Sequence, residues 1–560
     1  MPLWLALAAI VGIVVGTFYG NHFSGNRLNI VKTGSNKLGS LLYMLDDQYV
    51  DSLDVPDLVE KSIPLILGEL DPHSSYITAK DVENANDDLR GSFSGVGIEF
   101  IIRDDTLRVQ NVISDGPAET AGLLAGDKIV TVDGEAFTGT ELTNEVAMHK
   151  LKGPRGTEVT LGVVRYGEKE PKEFVVTRDD IVVNSVTAAY MLDETTGYIK
   201  LKNFGENTYN EVIVALAQLS LENFRQLVID LRGNPGGLLI SAVQIANEFL
   251  PRNSLIVYTE GRRTPRDEYR SDGRGTYKNI PLVILIDEAS ASASEILAGA
   301  IQDNDRGTII GRRSFGKGLV QQPVAFDDGS MMRLTVARYY SPSGRCIQKP
   351  YTSGMDREYE EDLLLRYQNG EFYSQDSIKH TGPEYHTRLG RVVYGGGGIT
   401  PDIFVPTDTA DYTSYYKEAA LSGLLLQFGY DYTDRNRGKL SEYEDEKSLV
   451  AYLKKQNLVE QFATYANERG LKRRNLMIQR SYRLLEEYAI SRVVYGVLNE
   501  AALLQYVNQD DPVIIETLRV FKEGKAFPKA PEQESENYQR VAMSYDYKAL
   551  HQSHSFIAWS

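Results

Sequence analysis

Residues 281–286 form the run PLVILI, which is apolar at every position and constrains the fold more than any other segment. A continuous apolar run of this length is typical of a strand that is buried on both faces of a parallel sheet. The next segment, DEASASASEILAGAIQD, predicts a turn at residues 287–290 and then an amphipathic helix that continues through Gln302. Because strand and helix signals alternate from about residue 184 onward, we expect an α/β layer there.

Composition excludes several kinds of site. The 560 residues carry 60 Lys and Arg against 77 Asp and Glu, a net charge of −17 without any basic run, so a nucleic-acid partner is not expected. The single cysteine, Cys346, rules out an internal disulfide and a cysteine-based zinc site. The seven histidines contain no pair at i,i+4 spacing, and we therefore expect neither a metal nor a cofactor. The length suggests about three or four domains.

A β-rich segment precedes the α/β layer. The stretches GVGIEFIIR, TLRVQNVI, KIVTVDGEAF and TEVTLGVVR alternate apolar and polar residues, and glycine turns separate them. The pair Asp133-Gly134 predicts a tight hairpin turn. Gly95 and Gly97 free a loop whose backbone amides can converge on an anion, and a strand edge begins beside it at Ile98. A protein needs this arrangement to bind a C-terminal carboxylate while the peptide adds a strand to its sheet.

The segment around the predicted helix carries the residue types of nucleophilic catalysis. A serine at the start of a helix lies where free backbone amides and the helix dipole favour negative charge, which suits the oxyanion that its attack would form. Lys317 lies between Gly316 and Gly318, which let the backbone pass close to a neighbour. No histidine is well placed, but a desolvated lysine with a lowered pKa can accept the serine proton. Taken singly, such a serine is usually a helix cap and such a lysine is usually a solvated loop residue.

The segment SASASEILAGAIQDNDRGTIIGRRSFGKGLVQ resembles the active-site region of the carboxyl-terminal processing peptidases, which are S41-type serine proteases with a Ser-Lys pair. The resemblance implies that Ser292, the third residue of SASASE, is the nucleophile. It implies that Lys317 of the GKG motif is the general base and that Gln321 orients this lysine. The flanking Ser290 and Ser294 are expected to cap the helix or to form local hydrogen bonds.

Another segment, QLVIDLRGNPGGLL, predicts a buried strand followed by a glycine turn that can present backbone amides. By resemblance to the family, the turn at Gly236 and Gly237 and the amide of Ala293 form the oxyanion hole, and the choice between the two glycines stays open. Thr208 and Glu211 have the spacing of a capping box and predict the start of the first helix of the protease core.

The β-rich segment resembles a PDZ domain, which implies that Gly95, Val96, Gly97 and Ile98 bind the peptide. The segments LDPHSSYI, LTVARYYSPSGRCIQ and GGGGITPDIFV match further parts of the family, so that the resemblance extends over about residues 41–405. The implied fold is multidomain α/β and β. A PDZ domain is inserted before an S41 protease core of the ClpP/crotonase-like α/β type, and the N- and C-terminal regions are helical.

These patterns predict six parts of the chain. They are a signal anchor or transmembrane segment at residues 1–20, a helical region at 21–90, a PDZ domain at 91–178, the S41 core at 179–407, a helical domain at 408–530 and an irregular tail at 531–560.

Two of these parts leave alternatives open. The apolar stretch at residues 3–18 could be a cleaved signal, but no good cleavage site follows it, so an uncleaved anchor is expected. The nearest positive charges lie on its C-terminal side, which does not fit the positive-inside rule. An insertion in the S41 core at about residues 350–390 is rich in tyrosine and charge. It reads as a solvated surface excursion, with a contact to substrate or partner as the alternative.

Together these features predict a serine endopeptidase of the cell envelope, anchored to the inner membrane with its domains on the periplasmic side. Its partners would be protein or peptide substrates with free C-termini, and its C-terminal helices could dock an adaptor or form a homo-oligomer. A refinement is that the PDZ domain covers the active site until a substrate displaces it. The alternative is a catalytically inactive, membrane-tethered PDZ scaffold. The presence together of Ser292, Lys317 and Gln321 favours the enzyme.

Overall fold

The computed structural model describes residues 34–531 apart from residues 114, 166, 169, 355 and 381. The predicted anchor at residues 1–20 and nearly all of the predicted tail at 531–560 lie outside the described residues. Within the described part of the chain, no helix is both long and apolar enough to cross a membrane.

Two compact units divide the chain between Leu67 and Gly68. The described elements of the first unit are helix α1 (Gly34–Gln48) and helix α2 (Val55–Gly68), which runs to the boundary. Both helices agree with the three-and-four spacing of apolar residues that predicts helix in this region. The second unit opens with strand β1 (Ser75–Ile77) and helix α3 (Val82–Arg90).

A β domain (residues 92–182) follows. Its strands are β2 (Ser92–Gly95), β3 (Ile98–Arg103), β4 (Thr106–Val112), β5 (Lys128–Val132), β6 (Glu135–Ala136), β7 (Glu158–Val164), β8 (Lys172–Thr177) and β9 (Asp179–Val182), and its helices are α4 (Pro117–Ala121) and α5 (Asn144–Leu151). The main sheet has the order β3-β4-β5-β7-β8, with β6 paired to β5. Asp133 and Gly134 join β5 to β6 with φ values of 50° and 80°, which confirms the predicted two-residue turn.

A six-stranded sheet forms the centre of the α/β layer and is here called the core sheet. Its elements and their helices are β10 (Val186–Met191), β11 (Thr196–Leu201), α6 (Thr208–Leu221), β12 (Gln226–Asp230), α7 (Leu239–Phe249), β15 (Leu282–Ile286), α8 (Ala293–Asp303), β16 (Thr308–Gly311) and β21 (Ile403–Phe404). The strand order is β10-β11-β12-β15-β16-β21, and every neighbouring pair except β10–β11 is parallel.

A second sheet lies beside the core sheet. Its strands are β13 (Leu255–Glu260), β14 (Asp267–Arg270), β17 (Leu319–Ala325) and β18 (Met331–Tyr340), and β1 pairs with β18. The insertion holds helix α9 (Asp356–Gln368), a short 3₁₀ turn (Gln375–Ser377) and the hairpin of β19 (Glu384–His386) and β20 (Val392–Tyr394). Since β1 precedes the β domain in the chain, the residues on both sides of that domain contribute to one sheet.

The apolar run PLVILI is strand β15, and its five strand residues are at most 1% exposed. Leu282, Ile284 and Ile286 pack with helices α6, α7 and α8 on one face of the core sheet. Val283 and Leu285 pack on the other face with side chains of a C-terminal helix that includes Ile514. The prediction of a strand buried on both faces is therefore confirmed.

Eight further helices follow in the described part of the chain. They are α10 (Ser414–Leu421), α11 (Leu424–Leu440), α12 (Glu446–Leu453), α13 (Leu458–Glu468), α14 (Asn475–Arg480), α15 (Tyr482–Val497), α16 (Glu500–Val507) and α17 (Pro512–Lys522). Helices α10 to α16 share one apolar core and form the helical domain (residues 414–507). This domain contacts the β domain, where Arg103 donates to the side-chain oxygen of Gln427 over 2.6 Å.

Helix α6 begins at Thr208, as the sequence predicts, but the hydrogen bonds at its start differ from the prediction. Thr208 Oγ1 accepts a hydrogen bond from the Gly205 amide and donates to Ser185, while the Glu211 carboxylate accepts from the Val186 amide. The predicted capping box is therefore wrong, because Thr208 bonds to Gly205 before the helix and to Ser185, while Glu211 bonds to Val186 of β10 instead of an amide of its own helix start.

Candidate active site

Ser292 stands directly before helix α8, at the end of the turn that follows β15. Its backbone has φ 54° and ψ −114°, a region that residues with a side chain rarely adopt, at a cost of about 1–3 kcal/mol. Strain at a serine in a tight turn from strand to helix is typical of nucleophiles, because the turn projects the hydroxyl away from the sheet.

The carboxylate of Glu295 joins the start of this helix to the loop that carries Lys317. Its Oε2 atom accepts from the amides of Ser292 and Lys317, each over 2.9 Å. Its Oε1 atom accepts from the Ser314 hydroxyl over 2.5 Å and the Gly316 amide over 2.7 Å. Glu295 is only 2% exposed, and burial raises its pKa to about 7 although four hydrogen bonds favour the ionised form.

Sequence reasoning missed the role of Glu295, although a signal was present. Ser292 and Glu295 have the S-x-x-E spacing of a capping box, and the glutamate does accept from the amide of the cap residue. The same rule applied to Thr208 and Glu211 failed. The spacing identifies candidates, but the remaining donors to Glu295 come from a distant loop that the pattern does not reveal.

Lys317 lies in the loop between β16 and β17, here called the lysine loop (residues 312–318). Gly316 has φ 92°, and a Cβ on Gly318 would lie 2.8 Å from the backbone nitrogen of Gln348, so the loop passes too close to its neighbour for a side chain. Burial lowers the pKa of the Lys317 amine, and the Arg333 guanidinium lowers it further. A lowered pKa is what a lysine needs to act as a base near neutral pH.

The hydroxyl of Tyr339 lies between the two halves of the site. Its oxygen is 3.1 Å from the carbonyl oxygen of Ser292 and also reaches the carbonyl oxygen of Lys317, so its single proton serves one of them at a time. In the described part of the chain, no hydrogen bond joins the Ser292 hydroxyl to the Lys317 amine. Catalytic hydrogen bonds are often loose before substrate binds, and here the two residues are held through their backbones.

Gln321 lies on β17 and lines the same cavity as Ser292. Its side-chain amide donates to Thr335 over 3.3 Å, and the Thr335 hydroxyl in turn donates to the Asp71 carboxylate over 3.0 Å. Asp71 also accepts from the Ser74 hydroxyl over 2.6 Å. The LDPHSSYI segment is therefore hydrogen-bonded to Thr335 of β18, which pairs with Gln321 of β17, a connection that no local sequence pattern predicts.

The cavity at the site has a volume of about 280 Å³ and includes Ser292, Gly237 and Gln321 in its wall. Its apolar lining residues are Leu238, Leu239, Ile296, Leu319, Val320 and Pro323. A cavity of this size and polarity can hold an apolar side chain of a peptide next to the serine.

The two glycines of the predicted oxyanion hole are used differently. The Gly236 amide donates to the side-chain oxygen of Asn234 over 2.8 Å, whereas the Gly237 amide donates to no acceptor among the described residues. A Cβ on Gly236 would lie 2.7 Å from Cβ of Ser292 and 2.9 Å from the Ala293 nitrogen, so this turn lies against the serine. Ala293 is the first residue of α8, and its amide has no acceptor within the helix.

A second cavity, of about 310 Å³, lies in the β domain between β3 and α5. Val96, Gly97 and Ile98 line it together with Phe100 and Met148, whereas the fourth predicted residue, Gly95, pairs with Asp179 outside its lining. Strand β3 is an edge strand of its sheet. Among the described residues no strand pairs with its outer edge, which is therefore open to a peptide. The cavity is mostly apolar and suits an apolar C-terminal side chain.

Ser290 and Ser294, which flank Ser292, are both 0% exposed and hydrogen-bonded. Ser290 donates to the Leu231 carbonyl over 2.8 Å and Ser294 to the Asn234 carbonyl over 3.0 Å. Cys346 is a free thiol whose pKa burial raises. Among the described residues, no cluster of three metal-ligating side chains is present.

The insertion is a solvated excursion only in part, because one face of α9 is exposed whereas the other is buried. Tyr359 and Arg366 of α9, with Glu371 after it, are at most 5% exposed and pack against the lysine loop. The charged composition of the segment is misleading because these buried charges pair with one another and with backbone carbonyls.

Comparisons with known proteins agree with this architecture. The sequence models of the PDZ domain and of peptidase family S41 match residues 94–177 and 195–360, and a family of unknown function matches residues 415–498. The carboxy-terminal-processing protease of Bartonella bacilliformis is 39% identical over 318 residues, which cover 56% of this chain and 72% of that protein. The carboxyl-terminal-processing protease of Synechocystis sp. is 38% identical over 296 residues, or 51% of this chain and 68% of that protein.

A solved structure, the photosystem II D1 C-terminal processing protease, is 27% identical and covers 68% of this chain and 95% of its own, with a TM-score of 0.35. That score is too low for a comparison of atomic positions. The sequence relatives are sufficient: this chain belongs to the carboxyl-terminal processing proteases of peptidase family S41, with a PDZ domain before the protease domain.

Proposed function

We propose that this serine protease cleaves peptide bonds with Ser292 as nucleophile and Lys317 as general base. The observation that carries the proposal is the shared carboxylate oxygen of Glu295, which accepts from both backbone amides and holds the two residues in one frame. The strained backbone of Ser292 and the lowered pKa of the half-buried Lys317 amine support the same roles.

In the proposed mechanism, the neutral Lys317 amine takes the proton of the Ser292 hydroxyl as its oxygen attacks the scissile carbonyl. The lysine then returns this proton to the leaving amine, and the carbon–nitrogen bond breaks to leave an ester on Ser292. Lys317 then takes a proton from water as the water oxygen attacks the ester, and it returns this proton to the Ser292 oxygen as the acyl carbon–oxygen bond breaks and the new carboxylic acid leaves. At the end of the cycle the Lys317 amine is neutral again and Ser292 carries its proton.

The tetrahedral oxyanion would be stabilised by the amides of Gly237 and Ala293. Gly237 is preferred over Gly236 because the Gly236 amide already donates to Asn234. In this arrangement Gly236 has a steric role, since its missing side chain lets the turn approach Ser292. Gln321 remains a proposed orienting residue that acts from the strand next to Thr335.

The β domain would select the substrate by its end. A C-terminal carboxylate would bind the amides of the loop at Val96 and Gly97, while the last side chain enters the cavity between β3 and α5. The proposed substrates are therefore proteins with an accessible, apolar C-terminal residue. An envelope location, a membrane anchor at residues 1–20, an adaptor and a homo-oligomer stay predictions from the sequence.

The proposal is tested by incubating the purified chain and its variants with an unstructured protein substrate and identifying the products by mass spectrometry. Ser292→Ala and Lys317→Ala are expected to lower the cleavage rate by about a thousandfold or more and to leave substrate binding intact. Lys202→Ala, which changes an exposed lysine, should cleave as the wild type does. Cleavage by either site variant at a tenth of the wild-type rate would remove that residue from the mechanism.

A further inference from the structure

Helix α9 of the insertion reaches the lysine loop at two places. Tyr359, near its start, and Arg366, near its end, are 5% and 4% exposed, although most of the neighbouring residues in the helix are charged or polar. These two side chains point in the same direction because positions seven apart return to one face of a helix.

Arg366 holds the first part of the lysine loop. Its guanidinium donates to the carbonyl oxygens of Arg313 over 2.7 Å and of Ser314 over 3.0 Å, two consecutive residues of that loop. The Glu371 carboxylate accepts from both Arg313 and Arg366, with all four contacts between 2.7 and 2.9 Å. A planar guanidinium that binds two neighbouring carbonyls and a carboxylate fixes a backbone direction more strictly than a single hydrogen bond does.

The hydrogen bonds of Arg366 connect through Ser314 to the buried carboxylate of the active site. The Ser314 hydroxyl donates to Glu295, the residue that also accepts from the amides of Ser292 and Lys317. The carbonyl oxygen of Ser314 thus binds the insertion, and its hydroxyl binds the active-site carboxylate. A shift of this residue would move the carboxylate that aligns the serine and the lysine.

Tyr359 holds the other end of the loop. Its hydroxyl accepts from the side-chain amide of Gln348 over 3.3 Å, and the side-chain oxygen of Gln348 accepts from the amide of Gly318 over 2.7 Å. Gly318 directly follows Lys317, so the tyrosine acts on the lysine through one intervening side chain. The aromatic ring also lies edge-on to Phe315 in the same loop, with ring centres 5.9 Å apart.

The Tyr359 hydroxyl has a second partner in the segment before the β domain. Its oxygen lies 2.9 Å from Nε2 of His73. Burial and the charge of Lys317 lower the pKa of His73 to about 4, so the imidazole is neutral near pH 7 and can share a hydrogen bond with the tyrosine hydroxyl.

We propose that Tyr359 and Arg366 are positioning residues for Lys317, so that the inserted helix is part of the catalytic apparatus and holds the lysine loop in place around the half-buried amine. This inference rests on the proposed role of Lys317 as the base. Neither residue touches the reacting atoms. Each acts on the backbone of the lysine loop, from opposite sides of Lys317.

If the lysine loop were less firmly held, both the position and the pKa of Lys317 would change. The charged or titratable groups that face Lys317 are Arg333 of β18, Glu295 of α8, and Asp71 and His73 of the segment before β1. Burial is the largest cause of the lowered pKa of Lys317, so added water would raise this pKa. The neutral base would then form only at a higher pH.

The test uses Tyr359→Phe, which removes one hydroxyl, and Arg366→Gln, with Arg366→Lys as the conservative variant. Tyr367→Phe and Arg357→Gln are matched controls on the same helix, at side chains that are exposed. For each full-length protein, kcat and KM are measured with a peptide substrate from pH 6 to pH 10, and folding is checked by the melting temperature.

We expect Tyr359→Phe and Arg366→Gln to lower kcat at pH 7 by about tenfold or more, since a small misplacement of a catalytic group can cost about a hundredfold. KM should stay within about twofold, the rising limb of kcat should move to higher pH, and high pH should restore much of the rate. Arg366→Lys should recover part of the loss. The controls should match the wild type.

Two results would overturn the inference. One is a wild-type kcat and pH profile in both Tyr359→Phe and Arg366→Gln, and the other is a loss of kcat without any shift of the rising limb. Lys317→Ala separates this inference from the proposed function. If that variant still cleaves, lysine catalysis is wrong. If it is inactive while Tyr359→Phe and Arg366→Gln both match their controls, only the role of the insertion is wrong.

Discussion

Ser292 and Lys317 share one acceptor atom, because the backbone amide of each donates to Oε2 of Glu295 over 2.9 Å. The nucleophile candidate lies on the core sheet side and the base candidate on a loop that leads to the second sheet. A single buried carboxylate therefore sets the distance between the start of helix α8 and the lysine loop, which are separate in the chain.

Glu295→Gln is expected to disable the site without removing either proposed catalytic side chain. A glutamine has one acceptor oxygen and a donating NH₂, so it would place a donor against amides that now donate to Glu295. We expect a loss of activity of about a hundredfold or more and a fall of about 2–4 kcal/mol in the free energy of unfolding. Glu222→Gln, at an exposed residue, is the control. A variant with wild-type kcat would show that this carboxylate is dispensable.

The turn before α7 gives a prediction about backbone shape. Gly237 has φ 142°, and an added Cβ would lie 2.1 Å from the Phe204 carbonyl oxygen, so Gly237→Ala must displace the proposed oxyanion donor. We expect kcat to fall by about a hundredfold or more. Gly233→Ala is the matched control, since Gly233 also has a positive φ of 71° but no atom within 4 Å of the added Cβ. Equal activity of the two variants would contradict the assignment.

Peptide binding to the β domain should depend on Met148. This side chain lines the cavity between β3 and α5, whereas Val146 on the same helix is 41% exposed. Met148→Ala should weaken the affinity for a peptide with a free, apolar C-terminus by about five- to tenfold, as expected for lost apolar contact of about 1 kcal/mol. Val146→Ala should bind as the wild type does. Isothermal titration gives both values, and an amidated peptide should bind more weakly than the free acid.

Acid should destabilise the fold partly through His73. Burial lowers the pKa of His73 from 6.5 to about 4, so between these pH values the unfolded chain binds a proton that the folded chain does not. The unfolding free energy contributed by this group therefore falls as pH decreases from 6.5 to 4. In urea unfolding at pH 7 and pH 5, His73→Gln should lose less stability between the two conditions than the wild type. An identical loss would show that His73 is protonated equally in both states.

Local patterns predicted the elements of the site but not their contacts. The apolar run of β15 and the serines after it identify a strand, a turn and a helix start, and Asp133-Gly134 identifies its hairpin, because each signal lies within a few residues. The partners of Glu295 lie about twenty residues away, at Gly316 and Lys317. Their approach depends on how parallel strands are ordered, which no single segment encodes.

In the insertion, a local pattern was present but misleading. Its charges and tyrosines are typical of a solvated surface, yet Arg366 is buried because the carbonyls of the lysine loop and the Glu371 carboxylate satisfy its donors. Composition reports the polarity of a segment but not whether partners for its polar groups exist elsewhere in the fold. Asp71 is a similar case, since Thr335 and Ser74 complete its hydrogen bonds.

Labelling with a serine-reactive fluorophosphonate tests the proposed Ser292–Lys317 pair most directly, because it reports the reactivity of the serine without a peptide substrate. The adduct is located by mass spectrometry and its rate of formation is measured from pH 6 to pH 10. We predict one adduct on Ser292, a rate that rises with pH as Lys317 loses its proton, and a fall of about a hundredfold or more in Lys317→Ala. An adduct on another residue, or labelling of Lys317→Ala at the wild-type rate, would contradict the Ser-Lys mechanism.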